Sequence, residues 1–219
     1  MKIINGQFFI NGKKFEKGTL EISNGHITDF HSYENLCELN NTGKLDCGQR
    51  DNVDFEENHI LDATGCYVVP GFIDVHFHGC MGKDFSDGDF DGLKQMAIYE
   101  LQHGITSICP ATMTLPEEDL LQIVSIGKLV AQSHPKEKMA NLVGFHLEGP
   151  FISKEKKGAQ DDKYILAPDI AMFRRLLDAS EGYLRLTTIA PETSKAMDFI
   201  EAFHEDVSIS LGHTMTDYE

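Results

Sequence analysis

The chain has 219 residues, of which 41% are hydrophobic and 25% are charged, a composition typical of a globular protein with enough apolar side chains for a core. No apolar run is long enough to span a membrane, so we expect no membrane partner. The formal net charge of −16 argues against a nucleic-acid partner, because proteins that bind nucleic acids are usually basic.

The beginning of the chain and its cysteines predict a cytoplasmic protein. Polar residues interrupt the first stretch, MKIINGQFFINGKKF, before the apolar segment of a signal peptide can form. The five cysteines are an odd number, widely spaced and without a Cys-x-x-Cys pair, which favours reduced thiols. They are Cys37, Cys47, Cys66, Cys80 and Cys109.

The first part of the chain has the pattern of a small antiparallel sheet. Three Asn-Gly pairs, which favour the positive φ angles of tight hairpin turns, separate short apolar runs. We expect the sheet to continue through residues 26–30 and to return at residues 59–62. This predicts a small β-sheet domain of sandwich type over residues 1–62, with a polar, acidic and solvated insert at residues 34–58. The pairs are Asn5-Gly6, Asn11-Gly12 and Asn24-Gly25.

Residues 63–219 have a different pattern, in which predicted strands and helices alternate. Five short runs rich in Val, Ile, Leu and Phe are almost continuously apolar, as parallel strands buried on both faces are. Five successive β-α repeats predict an α/β fold, either a (β/α) barrel or a doubly wound sheet. The predicted strands are Tyr67–Val75, Ile105–Cys109, Leu142–His146, Leu184–Ile189 and Val207–Leu211.

Helical periodicity fills the segments between these strands. The first helix is expected over Asp91–His103, where Gly104 ends it. Thr114 and Glu117 have the spacing of a capping box, which predicts that the second helix begins there. Two further helical patterns follow Pro168 and Pro191.

The first candidate metal ligands are His76 and His78, in the stretch PGFIDVHFHG. Two residues apart on a strand, the imidazoles would point to the same side, and neutral imidazoles at that spacing can bind one divalent ion. Two ordinary strand histidines are the alternative, because a His-x-His pair alone is weak evidence. The Pro-Gly pair before the strand and the glycine after it favour the metal site, since they frame a strand that ends in an open loop.

Glu148, in the stretch GFHLEGPF, is a candidate ligand at the end of the third predicted strand. A carboxylate at that place can ligate one metal ion or bridge two. The alternative is a capping or salt-bridged acid, which is the usual role of a loop glutamate. His146 lies two residues earlier, and we expect it to support or pack against the ligands and not to bind the ion.

His213, in the stretch SISLGHT, ends the fifth predicted strand. A single histidine at a strand end is usually structural. Here, however, the fifth predicted strand is the third one that ends in a residue of a metal-ligand type. Catalytic groups of (β/α)8 barrels come from the carboxyl ends of several strands, whereas a doubly wound sheet gathers its ligands at one switch point. The distribution therefore favours the barrel.

Three of these stretches resemble a known family. PGFIDVHFHG resembles the first metal motif of the amidohydrolase superfamily, and GFHLEGPF, followed by Lys157-Gly158-Ala159-Gln160, resembles the N-acetylglucosamine-6-phosphate deacetylase family in particular. LGHT at residues 211–214 is similar to the same family's metal motif on the fifth strand. Many binuclear amidohydrolases bridge their metals with a modified lysine on the fourth strand. The fourth predicted strand here contains no lysine, and Glu148 takes that place, as in the deacetylases.

The resemblance implies hydrolysis of the acetamide of N-acetylglucosamine 6-phosphate, a small amino-sugar phosphate, by a metal-activated water. It implies one or two divalent ions, Zn²⁺ or Fe²⁺, with His76 and His78 on one ion, Glu148 shared and His213 on a second. Ala159 and Gln160 match a stretch that contacts the substrate. Some members of the family have histidine where this chain has Gln160, so a plain loop glutamine is the alternative there. The resemblance also implies a homodimer of the full-length protein.

The chain is expected to be a fragment of a longer protein. A (β/α)8 barrel takes about 250 residues, and residues 63–219 provide about five β-α units, preceded by part of the small β-sandwich domain. By resemblance, the missing part supplies the catalytic aspartate, which lies beyond Glu219, together with another metal histidine and the phosphate-binding groups. Alone, the 219 residues are expected to be inactive.

Two other functions remain open from the sequence. Another metal-dependent amidohydrolase, such as a D-aminoacylase or a dihydroorotase-like enzyme, would use the same metal ligands on a different substrate. A catalytically dead chain that binds a sugar phosphate or a partner and serves in regulation belongs to a different class. The retention of His76, His78, Glu148 and His213 argues against it, because a binding protein does not need them.

Overall fold

In the computed structural model, residues 1–33, 60–133 and 138–217 are described in full, and residues 37–39 and 45–47 by their backbone. The chain divides into two compact units, Met1–Pro70 and Gly71–Glu219. The rest of the predicted acidic insert lies outside the described residues.

The first unit is built around strand β1, which pairs on both sides. Strands β1, β2 and β3 form an antiparallel meander, whereas β6 and β7 both pair parallel to β1. The antiparallel return predicted at residues 59–62 is therefore wrong in direction, because the connection after β3 brings the chain back to the starting end of β1. Phe8 and Leu20 are buried in this unit. Its strands are β1 (Lys2–Ile10), β2 (Lys14–Ser23), β3 (His26–Ser32), β4 (Cys37–Leu39), β5 (Leu45–Cys47), β6 (Ile60–Asp62) and β7 (Tyr67–Val68).

Two of the three Asn-Gly pairs form hairpin turns, as predicted. Asn11 and Gly12, with φ of 52° and 65°, connect β1 to β2. Asn24 and Gly25, with φ of 51° and 76°, connect β2 to β3. Two successive positive φ angles are typical of the turn whose twist matches that of the flanking strands.

The turn predicted at the third pair, Asn5-Gly6, is wrong. The pair lies inside β1, where the register with β2 shifts between Ile4 and Gly6 as in a β-bulge. Asn5 has a left-handed φ of 62°, and its amide donates to the carboxylate of Asp62 at 3.0 Å. The same preference of asparagine for positive φ therefore makes a bulge here and a turn elsewhere.

The second unit contains parallel strands whose order follows the chain. β8, β11 and β12 pair in parallel, and so do β13, β14 and β15. Backbone hydrogen bonds of 2.9 Å from His146 to Pro110 and from Thr112 to His146 connect the two sets. The strands of this unit are β8 (Phe72–Asp74), β9 (Gly79–Cys80), β10 (Lys83–Asp84), β11 (Ile105–Ile108), β12 (Asn141–Leu142), β13 (Phe145–Glu148), β14 (Leu184–Ile189) and β15 (Ser208–Leu211).

The strand predicted over residues 67–75 is two strands in different units. β7 pairs with β1, whereas β8 pairs with β11. Pro70 and Gly71 lie between them. Proline lacks the amide that a central strand would use, and a Cβ at Gly71 would come within 2.1 Å of the Thr106 side chain. The Pro-Gly pair thus marks where the chain passes from one unit to the other.

Helices connect the parallel strands, close to the predicted positions. Aspartates cap two of them: the Asp89 carboxylate accepts from the amide of Asp91 at 3.1 Å, and that of Asp169 from Met172 at 2.9 Å. In the described part of the chain, no helix is both long and apolar enough to cross a membrane. The helices are α1 (Phe90–Gln102), α2 (Glu117–Ser133), α3 (Ile170–Ser180) and α4 (Ala196–Phe203).

The capping box predicted at Thr114 and Glu117 is wrong. α2 begins at Glu117, with Pro116 before it, so Thr114 lies outside its first turn. The Thr114 amide donates to the side chain of Gln160 at 2.6 Å, and its hydroxyl donates to the carbonyl of Glu148 at 3.4 Å. Thr114 therefore ties together the loops that follow the strands.

The core of the second unit lies between the strands and the helices. Gly127, on α2, faces the ring of Phe145, on β13, which is fully buried. Three phenylalanines of α3 and α4 pack edge to face or tilted, with ring centroids 4.6 to 4.9 Å apart. These three are Phe173, Phe199 and Phe203.

We expect the substitution Gly127→Ala to destabilise the protein. Alanine favours a helix over glycine by about 1 kcal/mol, but its Cβ would lie 2.6 Å from the Phe145 ring. Overpacking of this kind costs about 1–3 kcal/mol. Urea unfolding should show a lower midpoint for Gly127→Ala and a change of less than about 0.5 kcal/mol for the exposed control Gln122→Ala. A more stable Gly127→Ala protein would show that the helix and β13 are not packed this closely.

Candidate metal centre

Three strand ends converge on one carboxylate. Glu148 is the last residue of β13 and is only 6% exposed. His76 and His78 follow β8, and His213 follows β15. The structure thus brings together the four residues that the sequence analysis selects as metal ligands. The two histidines of the His-x-His pair lie in the segment after β8 and not within the strand.

The imidazoles approach both oxygens of the Glu148 carboxylate. Nε2 of His78 lies 2.8 Å from Oε2, and Nε2 of His76 lies 3.9 Å from the same oxygen. Nε2 of His213 lies 2.5 Å from the other oxygen, Oε1. The ligand atoms of His76, His78 and Glu148 lie within 4.8 Å of one another. These three residues could hold one metal ion, while His213 faces the opposite side of the carboxylate.

Backbone carbonyls orient two of the imidazoles. Nδ1 of His78 lies 3.2 Å from the carbonyl oxygen of Ala111, and Nδ1 of His213 lies 2.7 Å from that of Lys156. A carbonyl oxygen only accepts, so Nδ1 donates in both rings and Nε2 of the neutral ring has a free lone pair. Metal-binding histidines are usually oriented in this way by a partner of the second nitrogen.

The loop that contains His213 is fixed at its backbone. His213 has a left-handed φ of 51°, and its carbonyl accepts from the amide of Ser153 at 3.0 Å. The Glu192 carboxylate, after β14, accepts from the amide of Met215 at 2.7 Å and from the hydroxyl of Thr214 at 2.5 Å. Sequence reasoning missed Glu192, because nothing in the stretch APET distinguishes it from a solvated loop acid.

His146 lies behind His76. Its Nδ1 is 2.9 Å from Nδ1 of His76, and its Nε2 is 2.7 Å from the hydroxyl of Thr188 on β14. His146 and Thr188 are both buried, each 4% exposed. Sequence reasoning overlooked Thr188. Its position beside Glu148 depends on the register between β13 and β14, in which the two residues pair.

Burial and neighbouring charges shift the pKa values of Glu148 and His78 in opposite directions. Burial by itself would raise the pKa of Glu148, but the imidazoles of His78 and His213 lower it to about 2. The same carboxylate raises the pKa of His78. His146 has no carboxylate at hydrogen-bond distance. Burial, followed by the nearby His76, lowers its pKa to about 4. The cluster therefore contains an ionised carboxylate backed by a neutral imidazole.

A divalent metal ion fits this donor set. While the hydrogen of the neutral His78 ring is on Nδ1, the buried Oε2 of Glu148 has no hydrogen-bond donor, although Nε2 of His78 is only 2.8 Å away. Two lone pairs at that distance are held together either by a proton, which makes the ring an imidazolium, or by a metal ion that both atoms ligate. Imidazole nitrogens with one carboxylate are typical ligands of zinc and of non-haem iron.

The two residues predicted to contact a substrate lie beside the cluster, on the loop that precedes α3. Ala159 is exposed, whereas Gln160 is only 3% exposed. The side-chain oxygen of Gln160 accepts from the Thr114 amide at 2.6 Å. This oxygen therefore has a structural role, and the side-chain amide nitrogen is the group of Gln160 that remains for a ligand.

Comparisons with known proteins agree with this geometry. No family model matches the chain. The N-acetylglucosamine-6-phosphate deacetylase of Homo sapiens is 36% identical over 174 residues, which cover 74% of this chain and 42% of that protein. The chain is homologous to the N-terminal portion of the N-acetylglucosamine-6-phosphate deacetylases. It spans less than half the length of the curated deacetylases that it matches.

Solved deacetylase structures resemble the fold as well. The N-acetyl-D-glucosamine-6-phosphate deacetylase of Mycobacterium smegmatis has a TM-score of 0.79 and 28% identity, over 99% of this chain and 50% of that one. A variant of the same enzyme, solved in complex with N-acetyl-D-glucosamine-6-phosphate, also has a TM-score of 0.79. The chain therefore shares the mixed α/β fold of the deacetylases, an amidohydrolase fold.

In the metal-free protein, we expect His146 to stay neutral down to a pH of about 4. The unfolded chain takes up this proton near pH 6.5, so the unfolded state binds more protons between these values. The contribution of His146 to stability is therefore lost as the pH falls from about 6.5 to about 4. The imidazole resonances of His146, followed by NMR with a chelator present, should not titrate above pH 5. A midpoint near 6.5 would contradict the buried arrangement.

Proposed function

We propose that this chain is the N-terminal part of a metal-dependent deacetylase that hydrolyses the acetamide of N-acetylglucosamine 6-phosphate, giving glucosamine 6-phosphate and acetate. The observation that carries the proposal is the buried carboxylate of Glu148, which has imidazoles from two separate strand ends at its two oxygens. The homology to proteins named for this activity supports the choice of substrate.

We further propose that the second unit is the beginning of a (β/α)8 barrel, in which β12 and β13 together form the third of five strands and α1 to α4 connect these strands. In the described residues, β8 and β15 are the outer strands of the parallel series, each with one parallel partner. Phe72 and Ile73 on β8 and Leu211 on β15 are exposed. Exposed apolar side chains on outer strands support pairing with further strands, which would close the barrel.

The proposed site would use the four residues at the strand ends to hold divalent metal. His76 and His78 would bind through Nε2, Glu148 would be shared through its two oxygens, and His213 would bind on the other side. When bound at such a site, Zn²⁺ or Fe²⁺ lowers the pKa of a water molecule to about 7 and polarises the amide carbonyl. This chemistry is needed because an amide is a poor electrophile and neutral water is a poor nucleophile.

The protein residues contribute charge and position to this reaction. With a pKa of about 2, Glu148 stays ionised at neutral pH and can offer both oxygens. The carbonyls of Ala111 and Lys156 keep Nε2 of His78 and His213 directed at the carboxylate. We assign Ala159 and Gln160 to substrate contact, where the Gln160 amide nitrogen would donate to a carbonyl or hydroxyl oxygen of the sugar amide. The family resemblance also supports a homodimer of the full-length protein.

We expect Glu148→Gln to remove deacetylase activity from the full-length protein. The substitution removes the negative charge and replaces one carboxylate oxygen with an NH₂ group, which has no lone pair available for a metal. Loss of a residue that merely orients a ligand costs about 10–100-fold, so the loss of Glu148 should exceed about 100-fold in kcat/KM. The measurement is the release of acetate from N-acetylglucosamine 6-phosphate. Glu118→Gln, on the exposed face of α2, is the control and should retain full activity.

The choice of substrate is tested in the same assay. An N-acyl amino acid, offered at equal concentration, should be hydrolysed far more slowly than the phosphorylated sugar amide. Faster hydrolysis of the N-acyl amino acid would reassign the protein to another amidohydrolase. No hydrolysis of either substrate by the metal-loaded full-length protein would sink the proposed function.

The number of bound metal ions tests whether His213 holds a different ion from the one held by His76 and His78. If Glu148 is shared between two ions, His213→Ala should reduce the bound metal from about two ions to about one, because His76 and His78 remain. Equilibrium dialysis followed by elemental analysis gives the stoichiometry. His103→Ala, an exposed histidine after α1, is the matched control. A stoichiometry of one in both wild type and His213→Ala would contradict the shared arrangement and indicate a single ion.

A further inference from the structure

His76 differs from the other two imidazoles of the metal centre in the hydrogen-bond partner of its Nδ1 nitrogen. His78 and His213 each donate through Nδ1 to a backbone carbonyl, which fixes the hydrogen on that nitrogen. Nδ1 of His76 instead faces Nδ1 of His146 at 2.9 Å. An imidazole nitrogen can donate or accept, so this contact alone does not fix which nitrogen of His76 has the hydrogen.

The choice of donor between His76 and His146 also determines the donor between His146 and Thr188. If Nδ1 of His76 donates, Nδ1 of His146 must accept, and Nε2 of the neutral His146 ring carries its hydrogen. That hydrogen points at the Thr188 hydroxyl, 2.7 Å away. If Thr188 donates instead, both rings reverse, and Nε2 of His76 carries a hydrogen where a metal ligand needs a lone pair. Only the first direction is compatible with His76 as a ligand.

We propose that His146 and Thr188 are positioning residues, which form a hydrogen-bonded chain that sets the tautomer of His76 and thereby determines its affinity for the metal ion. The inference rests on the proposed function, since it concerns the same metal centre. Both residues are 4% exposed, so water has little access to replace the hydroxyl of Thr188 as the partner of His146. Partners of this kind typically change metal affinity by about 10–100-fold.

The register of the strands explains why Thr188 occupies this place. Thr188 on β14 pairs with Glu148 on β13, and His146 lies two residues before Glu148 on the same face of β13. Thr187, the neighbour of Thr188, donates its hydroxyl to the carbonyl of Leu147 at 3.3 Å and faces away from the centre. Thr187 therefore offers a matched control, a buried threonine on the same strand without contact to His146.

The experiment compares Thr188→Val, Thr188→Ser and Thr187→Val in the full protein. Valine keeps the shape of threonine but removes the hydroxyl, and serine restores it. Zn²⁺ affinity is measured by competition with a chromophoric chelator, and unfolding midpoints of the metal-free proteins report on folding. We expect Thr188→Val to weaken Zn²⁺ binding by at least tenfold, while Thr188→Ser and Thr187→Val stay within about threefold of wild type.

A double-mutant cycle with His146→Phe tests whether the two residues act as one chain. Because His146→Phe already breaks the chain, adding Thr188→Val to it should weaken Zn²⁺ binding no further. Long-range ¹H–¹⁵N correlation spectra of the Zn²⁺-bound wild type should show the hydrogen of His76 on Nδ1. This readout does not depend on the stability of any variant.

The outcomes separate the inference from the proposed function. Equal Zn²⁺ affinity of wild type and Thr188→Val would overturn the inference and leave the proposed function standing. A hydrogen on Nε2 of His76 in the Zn²⁺-bound protein would overturn the inference and also remove His76 from the proposed metal ligands, since Nε2 would then have no lone pair. Additive losses in the double-mutant cycle would also overturn the inference. A wild-type protein that binds no Zn²⁺ at all would overturn the proposed function and, with it, the inference.

Discussion

The second unit depends on one constraint, the burial of an ionised carboxylate at the end of a central strand. An ionised carboxylate that is as buried as Glu148 would be strongly unfavourable without groups that compensate its charge. Here the imidazoles of His78 and His213 approach its two oxygens, and each imidazole is held from behind by a backbone carbonyl. The need to compensate the charge of Glu148 therefore constrains the positions of the loops that contain His78 and His213.

The parallel strands make this compensation feasible. Because their order follows the chain, the carboxyl ends of β8, β13 and β15 lie on the same edge, and a residue after each of them can reach a common point. Side chains between these ends complete the arrangement. Thr114 ties the loop before α2 to Gln160 and to the Glu148 carbonyl, and Glu192 holds the segment after His213. The site is thus assembled from loops that touch one another and not from one local motif.

The sequence predicts the strands and helices of the second unit well, because buried parallel strands are short, apolar and bounded by glycine or proline. Leu184–Ile189 has the predicted bounds. The four predicted metal ligands come together because they lie at the carboxyl ends of β8, β13 and β15. Predictions from local sequence patterns are wrong where a residue distant in sequence determines the conformation or the hydrogen bonds. Asn5 makes a bulge with Asp62 as its partner, and Thr114 bonds to Gln160 instead of capping α2. Thr188 cannot be identified from its neighbours, since only strand register places it beside His146.

The contacts within the metal centre join parts of the chain that are far apart in sequence. His76 meets His146 across 70 residues, and Glu148 meets His213 across 65. Closing such long loops costs chain entropy, and the folded β-α units between these residues offset that cost by holding the ends of the loops close together. A bound ion would then act as a cross-link between the ends of β8, β13 and β15. Its removal would lower the resistance of this whole region to local opening, in addition to removing a reactive group.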